Sequence, residues 1–188
     1  MNGTTLEELL AMHCAPTFAG LKAASLISLD KRKFPHLDNL LAPYEPCFTC
    51  KGITYMILIE ESAYRLVLFY RPDALARTLS HPQSKKILSC YGYHTDAGLS
   101  NLLDELKLRL ATQAVFPHEI GLFLGYPPDD VAGFIIHKGR ECRCTGYWKV
   151  YADEDKARQM FHRYTACTQE YCWKLQQNIS LVDLLKAG

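Results

Sequence analysis

A surplus of either charge, a long apolar run and a familiar nucleotide or hydrolase motif are all missing from this chain of 188 residues. Its 21 lysines and arginines meet 20 aspartates and glutamates, a net charge of +1. Proteins that hold nucleic acid through its phosphates carry a clear basic excess, so nucleic acid is set aside as a partner. The most basic stretch, 137–149, sets Lys138, Arg140, Arg143 and Lys149 against Glu141, and such runs usually form a solvated edge. The longest apolar stretches, 120–124 and 131–136, fall far short of the ~20 residues of a bilayer-spanning helix. Residues 1–13 carry Glu7 and Glu8 and no basic segment, so no secretory signal is expected and the chain reads as cytoplasmic, with no membrane partner. There is no P-loop, no GxGxxG before a helix, no HExxH and no GxSxG. The segment Gly125–Asp130 has the outline of a phosphate loop, but Asp129 and Asp130 give it the wrong sign for an anion. Repeats and low-complexity tracts are absent too, so one domain spanning 1–188 is expected.

What is present is ordinary globular material, 48% hydrophobic and 22% charged, enough for a core without staples. The eight cysteines stand out. A reducing cytosol disfavours structural disulfides, which leaves metal, thiol chemistry or packing to account for them.

Periodicity and caps outline the elements. Thr5 and Glu8 form a capping box for a first helix that Pro16 is expected to interrupt. A helical turn over 17–24 and a short strand over 25–29 follow. Residues 30–52 read as irregular because Pro35, Pro43 and Pro46 break any period. Two strands, 54–60 and 64–71, form an antiparallel hairpin through Glu61-Ser62-Ala63. Helices are expected over 72–79, 82–89 and 96–112. At 117–125 a short helix and a buried strand at 120–124 are both open. A helix from Pro128 to near Gly139, a strand over 144–151, a long helix over 153–177 and a short one over 180–186 complete the chain. The sum is an α+β fold, a small, mainly antiparallel sheet covered by helices.

The segments HCAPTFAGLK (13–22), FPHEIGLFLGYPPDDVAGFI (116–135), GYWKVY (146–151) and YTACTQEYC (164–172) resemble an uncharacterised family of small proteins from anaerobic Gram-positive bacteria, a domain of unknown function. The resemblance runs from the first helix almost to the C-terminus and implies no catalytic residue or cofactor. It also implies a second cysteine beside Gly146, where this chain has Thr145.

Cys14 is the first chemical candidate. Pro16 would break the helix beside it, Thr17 would cap the next turn with free N–H groups toward the sulfur, and Lys22 would supply a cation, all lowering the thiol pKa. The end of the first helix acts in the opposite sense. His118 is a candidate base or metal ligand, and Glu119 reads as an anion at a helix start. Cys47-x-x-Cys50 and Cys142-x-Cys144 can be read as two halves of a four-thiolate site or as unrelated packing residues. Cys167 falls on the apolar stripe of the long helix, a core position, and Tyr147 and Trp148 can line a ligand pocket or fill a core. The leading expectation is a protein that binds a metal ion or redox cofactor, with Cys14, His118 and Cys144 as ligands and Tyr147 and Trp148 against the cofactor. The alternatives are a thiol enzyme with Cys14 as nucleophile, His118 as base and Lys22 orienting an acidic substrate, and an interaction module that does no chemistry.

Overall fold

The computed structural model describes residues 4–113 and 115–187. In chain order the first elements are α1 (Leu6–Phe18), β1 (Ala24–Asp30), α2 (Leu37–Leu41), a 3-10 turn (Ala42–Tyr44), α3 (Glu45–Cys50), β2 (Thr54–Glu60) and β3 (Tyr64–Tyr70). There follow α4 (Pro72–Ser80), α5 (Pro82–Cys90), α6 (Leu99–Thr112), α7 (Ile120–Phe123) and α8 (Pro128–His137). Two short strands, β4 (Cys144–Thr145) and β5 (Lys149–Val150), precede α9 (Glu154–Gln176) and α10 (Leu181–Ala187). The fold is α+β, with a three-stranded antiparallel sheet ordered β1-β3-β2 and a small β4-β5 hairpin. Among the described residues no helix is long and apolar enough to cross a membrane.

The chain forms two compact units, 1–72 with 164–188, and 73–163. The helix α9 supplies its first ten residues, 154–163, to the second unit and the remainder to the first.

In the first unit the core gathers Leu10, Cys14 and Phe18 of α1, Ile27 and Leu29 of β1, Phe48 of α3, Val67 and Phe69 of β3, and Leu181 and Leu185 of α10. Phe18, Phe48 and Phe69 meet pairwise with ring centroids 5.5–6.0 Å apart, within the range where aromatic pairs add to simple burial. The carboxylate of Glu7 accepts from the Tyr44 hydroxyl at 2.9 Å and from the Leu181 N–H at 3.3 Å, so one side chain at the start of α1 ties in the 3-10 turn and the start of α10.

Two expectations fail here, both at proline. The helix α1 does not break at Pro16 but runs on to Phe18. In the last turn a proline sacrifices a single intrahelical bond, and the Pro16 carbonyl is fully used, accepting from Leu21 N–H at 2.8 Å and Lys22 N–H at 3.1 Å. Gly20, at φ +74°, makes the reversal possible, and its N–H bonds the Thr17 carbonyl at 3.1 Å; this is a Schellman ending. The stretch 30–52 is likewise helical over much of its length. Pro43 and Pro46 occupy the second positions of the 3-10 turn and of α3, within the first turn, where the N–H has no intrahelical partner to lose. Farther along, 144–151 forms a hairpin of two paired positions rather than one strand.

The end of α1 has a second partner. Arg71, just past β3, donates from Nε to the Thr17 carbonyl at 2.7 Å, from Nη2 to Phe18 at 2.6 Å and from Nη1 to Lys51 at 2.6 Å. Lys51 is the C-cap of α3, so one guanidinium closes the negative ends of two helices. Arg65, at the other end of β3, does the same for a loop, donating to the carbonyls of Phe34 and Pro35 at 3.0 and 3.1 Å. Replacing Arg71 by Met should lower unfolding stability by about 3 kcal/mol, from lost charge-assisted bonds and stranded carbonyls. Arg71→Lys should recover little of it, because an ammonium cannot span three acceptors in a plane. Urea denaturation midpoints of the three proteins check this.

Candidate functional site

Cys14 is completely buried in the first unit's core. Burial pushes its thiol up to about 12, against a smaller opposing effect of Lys22. A thiol nucleophile needs the reverse environment. The side chain of Thr17, expected to open a new helical turn, instead shares a 2.8 Å hydrogen bond with the Ser25 hydroxyl. Lys22 does come near Cys14; burial depresses its amine to about 8, and Cys14 acts in the opposite sense. Cys14 and Lys22 belong to the first unit and His118 to the second.

The lysine has a measurable signature. Its folded pKa lies below the unfolded value of 10.5, so the unfolded chain binds more protons above about pH 8 and stability rises with pH there. The Cys14 thiol, whose folded pKa lies above its unfolded value of 9.0, acts oppositely once pH exceeds about 9. Between pH 7 and 9 wild type should therefore gain thermal stability relative to Lys22→Met. Parallel melting curves give the comparison, and a constant difference would contradict the assignment.

The other cysteines are scattered. Cys47 is buried with Sγ 4.0 Å from the Val182 carbonyl, while Cys50 is exposed. Cys142 Sγ lies 3.5 Å from Thr145 Oγ1. The thiol of Cys144 is pushed up by burial and then by the charge of Glu154. The half-buried thiol of Cys167 is raised to about 11 by burial, with Glu170 adding to it. Among the described residues no three or more His, Cys, Asp or Glu side chains gather into a metal-binding group. The ligand sets expected from the cysteine spacings, and from Cys14, His118 and Cys144, have no counterpart there.

The second unit does hold a pocket, a cavity of about 290 Å³ built from three chain segments. The first contributes Phe116, Pro117, His118, Ile120 and Gly121; the second Tyr126, Asp130, Val131 and Phe134; the third Thr145, Gly146, Trp148 and Lys149. Residues 120–123 are helical, which settles the choice between helix and strand. This short α7 ends at Gly125, φ +75°, and the Tyr126 N–H returns to the Gly121 carbonyl at 2.9 Å. The turn brings α8 so close that a Cβ on Gly121 would lie 2.9 Å from Val131 and 3.2 Å from Tyr126.

The aromatic walls interlock. Tyr126 stacks on Trp148 with centroids 5.0 Å apart, and Trp148 meets Phe161 of α9 edge-on at 4.5 Å. A Cβ on Gly146 would fall 2.3 Å from the Phe161 ring, so only glycine fits that turn of the hairpin. His118 stands at the exposed edge of the pocket, its ring edge-on to Phe134 at 5.2 Å. Tyr147 points elsewhere, toward Phe161 at 5.8 Å, and is not among the pocket's lining residues.

Asp130 fixes the third wall to the second. One carboxylate oxygen accepts from Trp148 Nε1 at 2.7 Å, and the other from the N–H groups of Tyr151 and Ala152 at 2.8 and 2.9 Å. In the sequence it reads as a charge at the pole of a helix, yet its side chain is buried and spent on the hairpin. Glu119 is also buried. Its Oε1 accepts from the Tyr93 hydroxyl at 3.1 Å, while Oε2 has no partner among the described residues. It stands at the start of α7, as expected, and there also anchors Tyr93, over whose ring Arg109 lies at 4.4 Å.

Asp130→Asn should lose about 2 kcal/mol, because the amide NH2 would face at least one of the three donors and leave it unpaired. The same variant should shift the near-ultraviolet circular dichroism of Trp148, which records the loss of the indole bond independently of stability.

A larger groove of about 530 Å³ runs along α5 and α8 past Ile87, Cys90 and Ile136. None of its lining residues is buried, and it has no counterpart to the Asp130 anchor.

No curated protein and no solved structure matches the chain. The model of the family described as "Protein of unknown function (DUF3793)" matches residues 10–185, through both compact units. The match covers nearly the whole length, and the chain belongs to the DUF3793 family.

Proposed function

We propose that this protein binds a small organic molecule in the pocket formed by 116–121, 126–134 and 145–149. The supporting observation is convergence. Two of the most distinctive sequence segments, FPHEIG…GYP…DV.GF (116–134) and GYWKVY (146–151), supply the walls of one cavity. Its size lies at the small end of ligand sites, and its lining has the usual character, mostly apolar with a few placed polar groups. His118 and Trp148 are contacts in this reading. A metal ion held by Cys14, His118 and Cys144 receives no support from a ligand group, and the raised Cys14 pKa opposes a thiol nucleophile. A redox cofactor fits as the case in which the bound ring is itself redox-active.

The test uses N-phenyl-1-naphthylamine, an apolar aromatic probe that brightens out of water. The chain has two tryptophans, of which Trp148 is buried at the pocket and Trp173 is exposed. In a Trp173→Phe background, energy transfer from Trp148 to the bound probe should accompany binding. Thr145→Phe, which fills the exposed mouth, should weaken binding about tenfold or more. Binding without energy transfer from Trp148, and unaffected by Thr145→Phe, would place the probe elsewhere and refute the pocket. Absorption above 300 nm in the freshly purified protein would identify a retained chromophore.

A further inference from the structure

The charges around this pocket are lopsided although those of the whole chain are balanced. Among the described residues one carboxylate lines it, Asp130, which is turned to three N–H donors of the protein itself, two on Oδ1 and one on Oδ2. Lys149 lines the cavity and spends one of its three donors on the Gly139 carbonyl at 2.6 Å. Gly139 itself touches two pocket residues: a Cβ there would sit 3.2 Å from Phe134 and 3.4 Å from Lys149 Nζ. The turn that carries exposed Lys138 and Arg140 is thus anchored at the pocket's edge. Of the nearby acids, Glu141 is paired with His137 at 3.0 Å and Glu154 with Arg158 at 2.6 Å. His118 adds a ring whose nitrogens have no hydrogen-bond partner among the described residues.

Within the cavity, by contrast, Phe116, Tyr126, Phe134 and Trp148 supply faces and edges for a flat ring. An apolar aromatic interior under a rim with unspent cationic donors selects a particular shape of molecule.

We propose that the pocket's ligand is a small aromatic anion, one or two fused rings buried among Tyr126, Phe134 and Trp148, with a carboxylate held at the rim by Lys149 and His118. This inference rests on the pocket reading above. Binding involves no covalent step. The carboxylate meets Lys149 Nζ in partly desolvated surroundings, where charge-assisted bonds are stronger than in water. The outer charges of Lys138 and Arg140 act at longer range and raise the encounter rate.

Calorimetric titration of the full chain with 2-naphthoate and its neutral isostere 2-naphthamide tests the proposal. The acid should bind about tenfold tighter than the amide at low salt, and the ratio should shrink as salt is raised. Lys149→Gln should remove most of the preference, while Lys149→Arg should keep it. The charge-conserving variant, together with unchanged circular dichroism in both, separates a lost contact from a lost fold. Equal binding of the two compounds, or tighter binding of the amide, would overturn the anion assignment and leave the pocket reading standing. A preference that persists in Lys149→Gln would overturn the assignment to this rim. Failure of both compounds, together with failure of the neutral naphthylamine probe, would overturn the pocket reading as well.

Discussion

The first compact unit depends on a guanidinium at the end of its central strand. Helices that stop inside a protein leave carbonyls that must find donors, and those carbonyls carry the negative pole. Arg71 meets both needs for α1 and α3 at once. It fixes where the two helices end relative to β3, and Phe18, Phe48 and Phe69 pack in consequence. Burial lowers the pKa of Arg71, but an arginine remains charged through any physiological range. The attachment therefore does not titrate away, and Arg65 secures the opposite end of the strand in the same manner.

A carboxylate plays the matching part in the second unit. The β4-β5 hairpin has too few paired positions to hold itself. Asp130 supplies what the ladder lacks, gripping the Trp148 indole and two backbone N–H groups. The pocket wall is thus a piece of irregular chain made rigid by one buried anion. Gly121 and Gly146 allow the neighbouring surfaces to approach, since any side chain there would collide with Val131 or Phe161.

Much of the fold was legible because its signals are local. The capping box at Thr5, the leucine spacing of α6 and the short hairpin connection at 61–63 each act within a few residues. Two failures of the reading had proline as their cause: a breaker in mid-helix, it is neutral within the first turn and cheap in the last, and Pro16, Pro43 and Pro46 all occupy such places. The pocket was half legible. His118 and Trp148 stood out by residue type, but Tyr126, Val131 and Phe134 read as ordinary helix or turn residues, and only folding turns them toward one space. Asp130 and Arg71 were invisible as anchors because their partners lie 18 to 54 residues away. Cys14 misled because the sequence shows a thiol beside a proline and not the apolar core, shared with Leu10, Phe18 and Leu181, in which it is completely buried.

The division of the chain has a consequence for synthesis. The second unit is one continuous stretch, 73–163, whereas the first is assembled from 1–72 and 164–188. Leu181 and Leu185 belong to the first unit's core, and the Leu181 N–H binds Glu7. On the ribosome, residues 1–72 must therefore wait for residues 164–188. During that interval α1 and α3 expose apolar surface that α10 will cover, whereas 73–163 has all its own residues in hand earlier. The order of emergence and the order of completion run in opposite directions, and a chaperone meeting this chain in mid-translation would find its targets within residues 1–72.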